Sequence, residues 1–410
     1  MALTPAWWRA ADADARRALL AASLGWMLDS FDVMLYALLV ATLIKELGMT
    51  PATGGLLASL TLLASAAGGI VFGIIADRFG RTRALIWSVL IYSVFTAACG
   101  FAQSVLQLAL FRLCLGLGMG GEWASGAALV SETWPAEHRG KALGLMQSAW
   151  AIGYGLAVIV TAVVLPRWGW RVVFFVGILP AFFTLWIRRS VREPQIWQRA
   201  RAAPVPAWNA LAEIFAPRFR RLTLWVTAMN ACTMFAWWGF NSWAPAYLEL
   251  SIAQGGIGLG LGYRTRILVI MQIGMWLGYV SFGFISDRIG RKRAYVIYLL
   301  TAAAMLVAYG STRQPMVLLA LGPFLAFFAT GYFSGFGAVT AEIYRTAIRA
   351  TAQGFTYNIG RIASAAAPFI VGSLAQTRGF RAAFMTAALA FVCAGAAWTF
   401  IPETKGRVLE

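Results

Sequence analysis

This chain has little of what enzymes work with. Its 410 residues include one histidine, His138, and four cysteines, and only 12% of them are charged. Soluble domains carry charge at about a quarter of their residues, so a soluble two- or three-domain protein is excluded. A lone histidine in a charged loop leaves almost no material for a metal centre or a Ser-His-Asp triad. Cys99, Cys114, Cys232 and Cys393 each lie inside an apolar run without CxxC spacing. They read as small buried hydrophobes, which excludes a disulfide framework. No metal, no cofactor and no enzymatic activity are expected. Acid is scarcer than base, 16 against 34, for a net charge of +18. Taken alone, that excess invites a nucleic-acid partner.

What the chain has in abundance is apolar length. Sixty percent of its residues are hydrophobic and its mean hydropathy is +0.70. A membrane-spanning helix needs about 20 mostly apolar residues, and such runs fall near 18–44, 53–76, 84–104, 107–130, 142–166, 171–189, 222–248, 266–286, 294–312, 315–340, 351–375 and 381–401. The expectation is an all-α membrane protein of about twelve spans. The first run is too long for a signal-peptide core and carries Asp29 and Asp32, so it reads as a retained helix.

The basic residues give the orientation. Of the 34, 24 fall at the amino terminus, in the even-to-odd loops or at the carboxyl end, eight fall on the opposite face, and Arg112 and Arg361 lie inside spans. Both termini are therefore expected in the cytoplasm, and the +18 sets topology without calling for nucleic acid. Compact loops and the absence of an N-x-[ST] sequon fit a bacterial inner membrane. The stretch near 190–220 is Arg- and Pro-rich, and it divides the chain into bundles at 1–190 and 221–410 joined by a linker at 191–220. Trp197 and Trp208 in that linker fit either an interfacial helix or a plain tether.

Self-comparison reveals a repeat. Gly73-x3-Asp77-Arg78-x-Gly80-Arg81 returns 210 residues later as Gly283-x3-Asp287-Arg288-x-Gly290-Arg291. Glu132, Arg139 and Gly144 return as Glu342, Arg349 and Gly354, and Glu193 returns as Glu403. One offset holding at separated places indicates two homologous six-helix halves about a pseudo-twofold axis, with a substrate site between them near the midplane.

These motifs carry a resemblance. The two Gly-x3-Asp-Arg-x-Gly-Arg loops, Arg112-x2-Leu115-Gly116-x-Gly118-x-Gly120, Glu132-x2-Pro135-x3-Arg139-Gly140 and Pro402-Glu403-Thr404-Lys405-Gly406-Arg407 resemble the major facilitator superfamily over essentially the whole chain. Leu28-Asp29-Ser30-Phe31-Asp32, Gly118-Met119-Gly120-Gly121-Glu122-Trp123 and Gly354-Phe355-Thr356-Tyr357-Asn358-Ile359-Gly360 look like its branch of sialate, lactate and related metabolite:proton symporters. The resemblance implies that the loops bearing Gly73, Asp77, Arg78, Arg81, Asp287, Arg288, Arg291, Glu132, Arg139, Glu342 and Arg349 act in gating. Simple anchoring of short loops to lipid headgroups is the plainer alternative.

Charge at bilayer depth is expensive and marks function by default. Asp29 and Asp32, three residues apart, share one helix face. Two ionised carboxylates so close repel, which favours a proton on one of them. The resemblance implies that Asp32 binds the coupled proton and that Arg112 is its counter-charge; a permanent salt bridge is the alternative. Glu122 is either a second proton site or a helix-packing group. In the second half Arg361, with Asn358 and Tyr357 beside it, can hold a carboxylate bidentately. Polar stripes add Asn230, Met234, Trp237 and Asn241, then Gln147, Trp150 and Tyr154, then Gln272 and Tyr279. The expected substrate contacts are Arg361, Asn358, Tyr357, Gln147, Tyr154, Asn230, Trp237, Asn241 and Gln272.

The expected function is a monomeric transporter, by alternating access, of a small organic anion such as lactate, pyruvate or a related acid, with protons as the coupled partner. A neutral-solute or sugar porter and a transporter-like sensor are the competing readings.

Overall fold

A computed structural model describes residues 8, 11–135, 138–193, 212–344 and 346–405, without the side chains of 74, 77, 78, 124, 139, 140, 188, 341 and 346–351. The described residues contain helices and no strand. They run α1 (Ala13–Glu46), α2 (Pro51–Phe79), α3 (Arg81–Cys99), α4 (Val105–Thr133), α5 (Arg139–Val176), α6 (Leu179–Ser190), α7 (Arg220–Asn241), α8 (Ala244–Glu249), α9 (Leu261–Ile289), α10 (Arg291–Ser311), α11 (Pro315–Thr330), α12 (Phe336–Ile343), α13 (Thr346–Ser364) and α14 (Ala367–Ala397).

Apolar length forces these helices, and short polar residues start them. Asp12 accepts from the backbone of Ala15 at 2.6 Å, Thr50 from Thr53 at 3.1 Å and Ser104 from Gln107 at 3.3 Å, each satisfying one orphan N–H of a first turn. Two helices are too long to be single crossings. α5 doubles back at Gly169 (φ 75°) and α14 at Gly379 (φ 79°), in a left-handed backbone region that glycine alone enters cheaply. The limb of α5 after Gly169 continues through α6 as one crossing, and α13 continues into the limb of α14 before Gly379; α7 with α8, and α11 with α12 through Gly331–Gly335, likewise make one crossing each. Twelve crossings result among the described residues. Several start earlier than expected from hydropathy, because capped charged turns extend them beyond the apolar run.

The repeat extends into three dimensions. Gly169 and Gly379 are themselves 210 residues apart. In the first half α2 and α4 approach until a Cβ on Gly68 would stand 2.1 Å from the Leu117 carbonyl; in the second, between α9 and α11, a Cβ on Gly278 would stand 2.5 Å from the Phe327 carbonyl, again 210 residues on. Small residues let backbones meet in this way where lipid offers no hydrophobic drive to helix association.

Call the side bearing Ala13 and Thr404 the terminal face. Contacts between the first six crossings and the last six concentrate towards the opposite, far face. Three hydrogen bonds near that face join the two sets: Ala52 N to Gln376 Oε1 (3.4 Å), Phe369 N to Ser59 Oγ (3.1 Å) and Asn241 Nδ2 to Met34 Sδ (3.0 Å). All lie in the far half of the molecule. Gly55 is pressed against the Pro368 carbonyl there, and Gly372 against Trp243 and the Pro51 carbonyl.

Candidate functional site

Midway between the faces the two sets line a narrow, partly open cavity with about 30 Å³ of free volume. Trp26 of α1 and Gln147 and Trp150 of α5 form one wall; Met234, Trp237 and Trp238 of α7 form another. Tyr279, Phe333, Tyr357 and Arg361 complete it. Trp26 and Trp150 pack at 4.7 Å between ring centroids, and Trp150 meets Trp238 edge-on at 5.9 Å. Towards the terminal face Trp123 and Tyr357 stack across the two sets, 4.3 Å apart and 4° from parallel.

Several of the polar groups around this cavity are donors. Arg361 is 4% exposed, and no ion pair or side-chain hydrogen bond holds its guanidinium among the described residues. The indole Nε1 atoms of Trp26 and Trp150 are buried and unpartnered. An unmet buried donor costs about 1–3 kcal/mol, so the two indoles beside a guanidinium invite an acceptor.

Three carboxylates lie at the same depth. Asp29 and Glu122 are both fully buried and within electrostatic reach of Arg361. Neither Glu122 oxygen has a partner, nor has Asp29 Oδ2. Gly25 leaves the room Glu122 occupies: a Cβ there would stand 2.5 Å from Oε1. Asp32 Oδ2 sits 3.1 Å from Thr96 Oγ1, which also lies 2.8 Å from the Tyr92 carbonyl. A hydroxyl has one proton. When Thr96 gives it to the carbonyl, the contact with Asp32 holds only if the carboxyl donates, that is, if Asp32 carries a proton.

The expected Asp32–Arg112 pair is not formed. Arg112 reaches past Asp32 to lie over the Tyr36 ring, 3.6 Å from its centroid, and its Nε donates to the Leu57 carbonyl at 3.4 Å. Asp32 instead turns towards α3. Of the expected substrate contacts, Arg361, Tyr357, Gln147 and Trp237 line the cavity. Asn358 faces Gly69 and Asn230 packs on Gly360, Asn241 bonds Met34, Gln272 donates to the Leu268 carbonyl and lies beside Gly155, and Tyr154 is buried with an unpartnered hydroxyl; none of these five lines it. Trp26, Trp238 and Phe333 were not expected there, and Trp150, Met234 and Tyr279 only as stripe members. A further buried charge, Arg264, pairs with Glu249, because α9 begins five residues before the expected span and takes this residue into the protein.

At the terminal face the repeated motifs build matching clamps. Arg81 Nη2 meets Glu132 Oε1 at 3.0 Å, and Arg291 Nη2 meets Glu342 Oε1 at 3.0 Å. Arg291 also pairs with Asp287 at 2.5 Å, while Lys405 Nζ donates to the carbonyl of the exposed Arg288 at 3.0 Å. Glu193 accepts from the backbones of Thr82 and Arg83, both at 3.2 Å. Glu403 does the same for Arg291 and Lys292, at 2.8 and 3.1 Å. Burial pushes the Glu403 carboxyl up, but backbone N–H groups of Lys405, Arg291, Lys292 and Thr404 outweigh it and hold the carboxyl below its usual range. Gly73 has nothing within 4 Å of a Cβ position. The side chains of Asp77, Arg78, Arg139 and Arg349 lie outside the described residues, as do Trp197 and Trp208.

Twelve crossings, a 210-residue repeat and a midplane cavity between two sixfold sets now meet a direct sequence match. The family model described as Major Facilitator Superfamily matches residues 22–263 and 248–409. The chain belongs to the Major Facilitator Superfamily. It is a multi-pass membrane transporter and not an enzyme. A protein of Cupriavidus pinatubonensis described as a probable 4-methylmuconolactone transporter is 34% identical, over 99% of this chain and 94% of its own. The cis,cis-muconate transport protein of Acinetobacter baylyi is 32% identical over 95% and 94%. The partially occluded inward open xylose transporter of E. coli superposes with a TM-score of 0.76 at 20% identity, over 97% of this chain and 100% of its own, a likeness of fold.

Proposed function

We propose that this superfamily member carries a small organic carboxylate together with protons by alternating access. The observation that carries the reading is the pair of unmet indole donors of Trp26 and Trp150 beside Arg361, inside aromatic walls. A carboxylate supplies the missing acceptors, and Arg361 offers it a two-pronged, charge-assisted grip. Flat walls of Trp, Tyr and Phe favour a planar, unsaturated or aromatic body over a small hydroxy acid such as lactate. The two relatives, described as a cis,cis-muconate transport protein and a probable 4-methylmuconolactone transporter, support that class. A sugar would leave the guanidinium uncompensated.

The coupling is assigned to Asp29, Asp32 and Glu122. A bare carboxylate at bilayer depth is costly unless paired or protonated, and their unpartnered oxygens leave places where a proton is held. Protonation of Asp29 and Glu122 removes two competitors for Arg361 and so readies it for substrate. The far-face seal belongs to one end of the transport cycle; its opening, with closure at the terminal face, is the other. The Arg81–Glu132 and Arg291–Glu342 clamps stiffen each half so that it moves as a body. We assign the halves to 1–190 and 221–410 about a linker at 191–220, in a monomer with cytoplasmic termini in a bacterial inner membrane.

Binding stabilises the folded state, by about 2.7 kcal/mol at a hundredfold excess over Kd. A thermal-unfolding panel of nicotinate, benzoate, muconate, lactate, pyruvate, xylose and glucose should therefore raise the unfolding temperature for carboxylates only, planar ones most. Arg361→Gln should abolish the rise. Stabilisation by sugars alone overturns the reading.

A further inference from the structure

Asp29 and Asp32 of α1 and Glu122 of α4 meet α3 along the face that carries Tyr92 and Thr96, residues one turn apart. Tyr92 is fully buried. Its hydroxyl donates to the Gly25 carbonyl at 3.4 Å, long for an O–H donor. In α1 that carbonyl points one turn onward, to the residue Asp29. Glu122 comes to the same glycine from α4: a Cβ on Gly25 would stand 2.5 Å from its Oε1. Tyr92 is accordingly within electrostatic reach of Asp29, Glu122 and Asp32. It cannot back away, because α4 is pressed against its main chain, with a Cβ on Gly118 only 2.6 Å from the Tyr92 nitrogen. Thr96 is placed in the same way, its Oγ1 2.8 Å from the Tyr92 carbonyl and 3.1 Å from Asp32 Oδ2. Both hydroxyls thus rest on backbone carbonyls beside buried acids whose oxygens are unpartnered, namely Asp29 Oδ2, Asp32 Oδ1 and both oxygens of Glu122. A carboxyl that holds its own proton needs no donor. An ionised one at this depth does.

We infer that Tyr92 is a positioning residue for Asp29 and Glu122, as Thr96 is for Asp32: each hydroxyl rests on a carbonyl while its acid is protonated and donates to the acid once the proton has left. The carbonyl keeps its helical N–H partner in both states, and the hydroxyl always has an acceptor, so the acid releases its proton without leaving a bare charge. Glu122, with three rotatable side-chain bonds, supplies the movement towards Tyr92. The inference rests on the proton-coupling reading above and adds the groups that let these acids let go. Cys99 of α3, Arg112 of α4, and Tyr357 and Arg361 of α13 are the other titratable groups in the electrostatic surroundings of this cluster. None of them gives the three acids a hydrogen bond among the described residues.

The test is infrared difference spectroscopy of the purified full-length chain in lipid nanodiscs, following the C=O stretch of protonated carboxyls from about pH 4 to about pH 9. Asp29→Asn, Asp32→Asn and Glu122→Gln assign the titration steps. Tyr92→Phe should move the midpoint of the step belonging to Asp29 or Glu122 up by about one pH unit, because the ionised form loses a charge-assisted hydrogen bond. Thr96→Val should do the same for the Asp32 step, and Thr96→Ser, which keeps the hydroxyl, should restore it. Ser88, one turn before Tyr92, donates to the Gly118 carbonyl at 2.7 Å, and Ser88→Ala should leave every midpoint in place. Midpoints unmoved in Tyr92→Phe and Thr96→Val overturn the inference and spare the coupling reading. A wild type in which no buried carboxyl titrates overturns both.

Discussion

Gly55→Ala should push the molecule towards the state open at the far face. A methyl at Gly55 would stand 2.3 Å from the Pro368 carbonyl and 2.9 Å from the Phe369 Cα. Ordinary contact begins at 3.4 Å, so α2 and α14 must part by about 1.1 Å. The obstruction is backbone and cannot rotate away, and overpacking of this kind costs about 1–3 kcal/mol. Because Gly55 and Pro368 belong to different halves, the cost falls only on the conformation closed at this face. That shifts the closed-to-open ratio roughly 5- to 150-fold. Gly116→Ala is the control: its Cβ would stand 2.4 Å from the Thr61 carbonyl, a contact within the first half and present in both states. The assay is the rate of maleimide labelling at Ala58→Cys, a buried position of α2 near Arg112, with the four native cysteines replaced by serine. Gly55→Ala should speed labelling at least fivefold. Gly116→Ala should lower the unfolding temperature and leave the rate alone. Equal labelling in the Gly55→Ala and parent chains would refute the proposal that the far-face seal is a closed gate.

Three further outcomes follow from the site and its clamps. Asp32→Asn should abolish accumulation driven by a pH gradient while sparing substrate exchange at equal pH in proteoliposomes; undiminished accumulation removes Asp32 from the coupling. Gly25→Ala must displace the Glu122 carboxyl, the flexible partner in a 2.5 Å contact, so proton-driven uptake should fall several-fold with little change in unfolding temperature; unchanged uptake excludes Glu122. Glu403 is held below its usual range by backbone donors, so its stabilising contribution is complete above about pH 4.5 and fades as acid protonates the folded form. Glu403→Gln should accordingly lower the unfolding temperature at pH 7 and match the parent near pH 3, and a deficit that persists at pH 3 would contradict the backbone-capping role.

Crossings were legible in the sequence because hydrocarbon thickness imposes a length on every helix, and the charged turns between them were legible because lipid excludes them. The 210-residue offset proved deeper than its motifs, reaching the Gly169 and Gly379 reversals and the Gly68 and Gly278 contacts, where single glycines carry a geometry that periodicity cannot register. Arg361 was legible as a charge where charge is costly. Its companions were less so. Trp26, Trp238 and Phe333 are apolar residues among many, and nothing in spacing tells a cavity wall from a lipid contact. Asn230, Asn241, Asn358, Gln272 and Tyr154 share helical stripes with true lining residues, yet the rotation and tilt of their helices point them at neighbouring backbone or packed interfaces. The Asp32–Arg112 pairing failed for a similar reason: both residues are buried on facing helices, but the arginine is long enough to pass the acid and settle on Tyr36.

The central claim is that one chain couples carboxylate movement through Arg361 to proton movement. Its most direct test is proton flux into proteoliposomes containing only this protein, followed with an internal pH dye after muconate is added outside, against protein-free liposomes. The account predicts substrate-dependent acidification of the lumen by the wild type and none by Arg361→Gln. Muconate uptake without acidification, or equal acidification in the two chains, would contradict it.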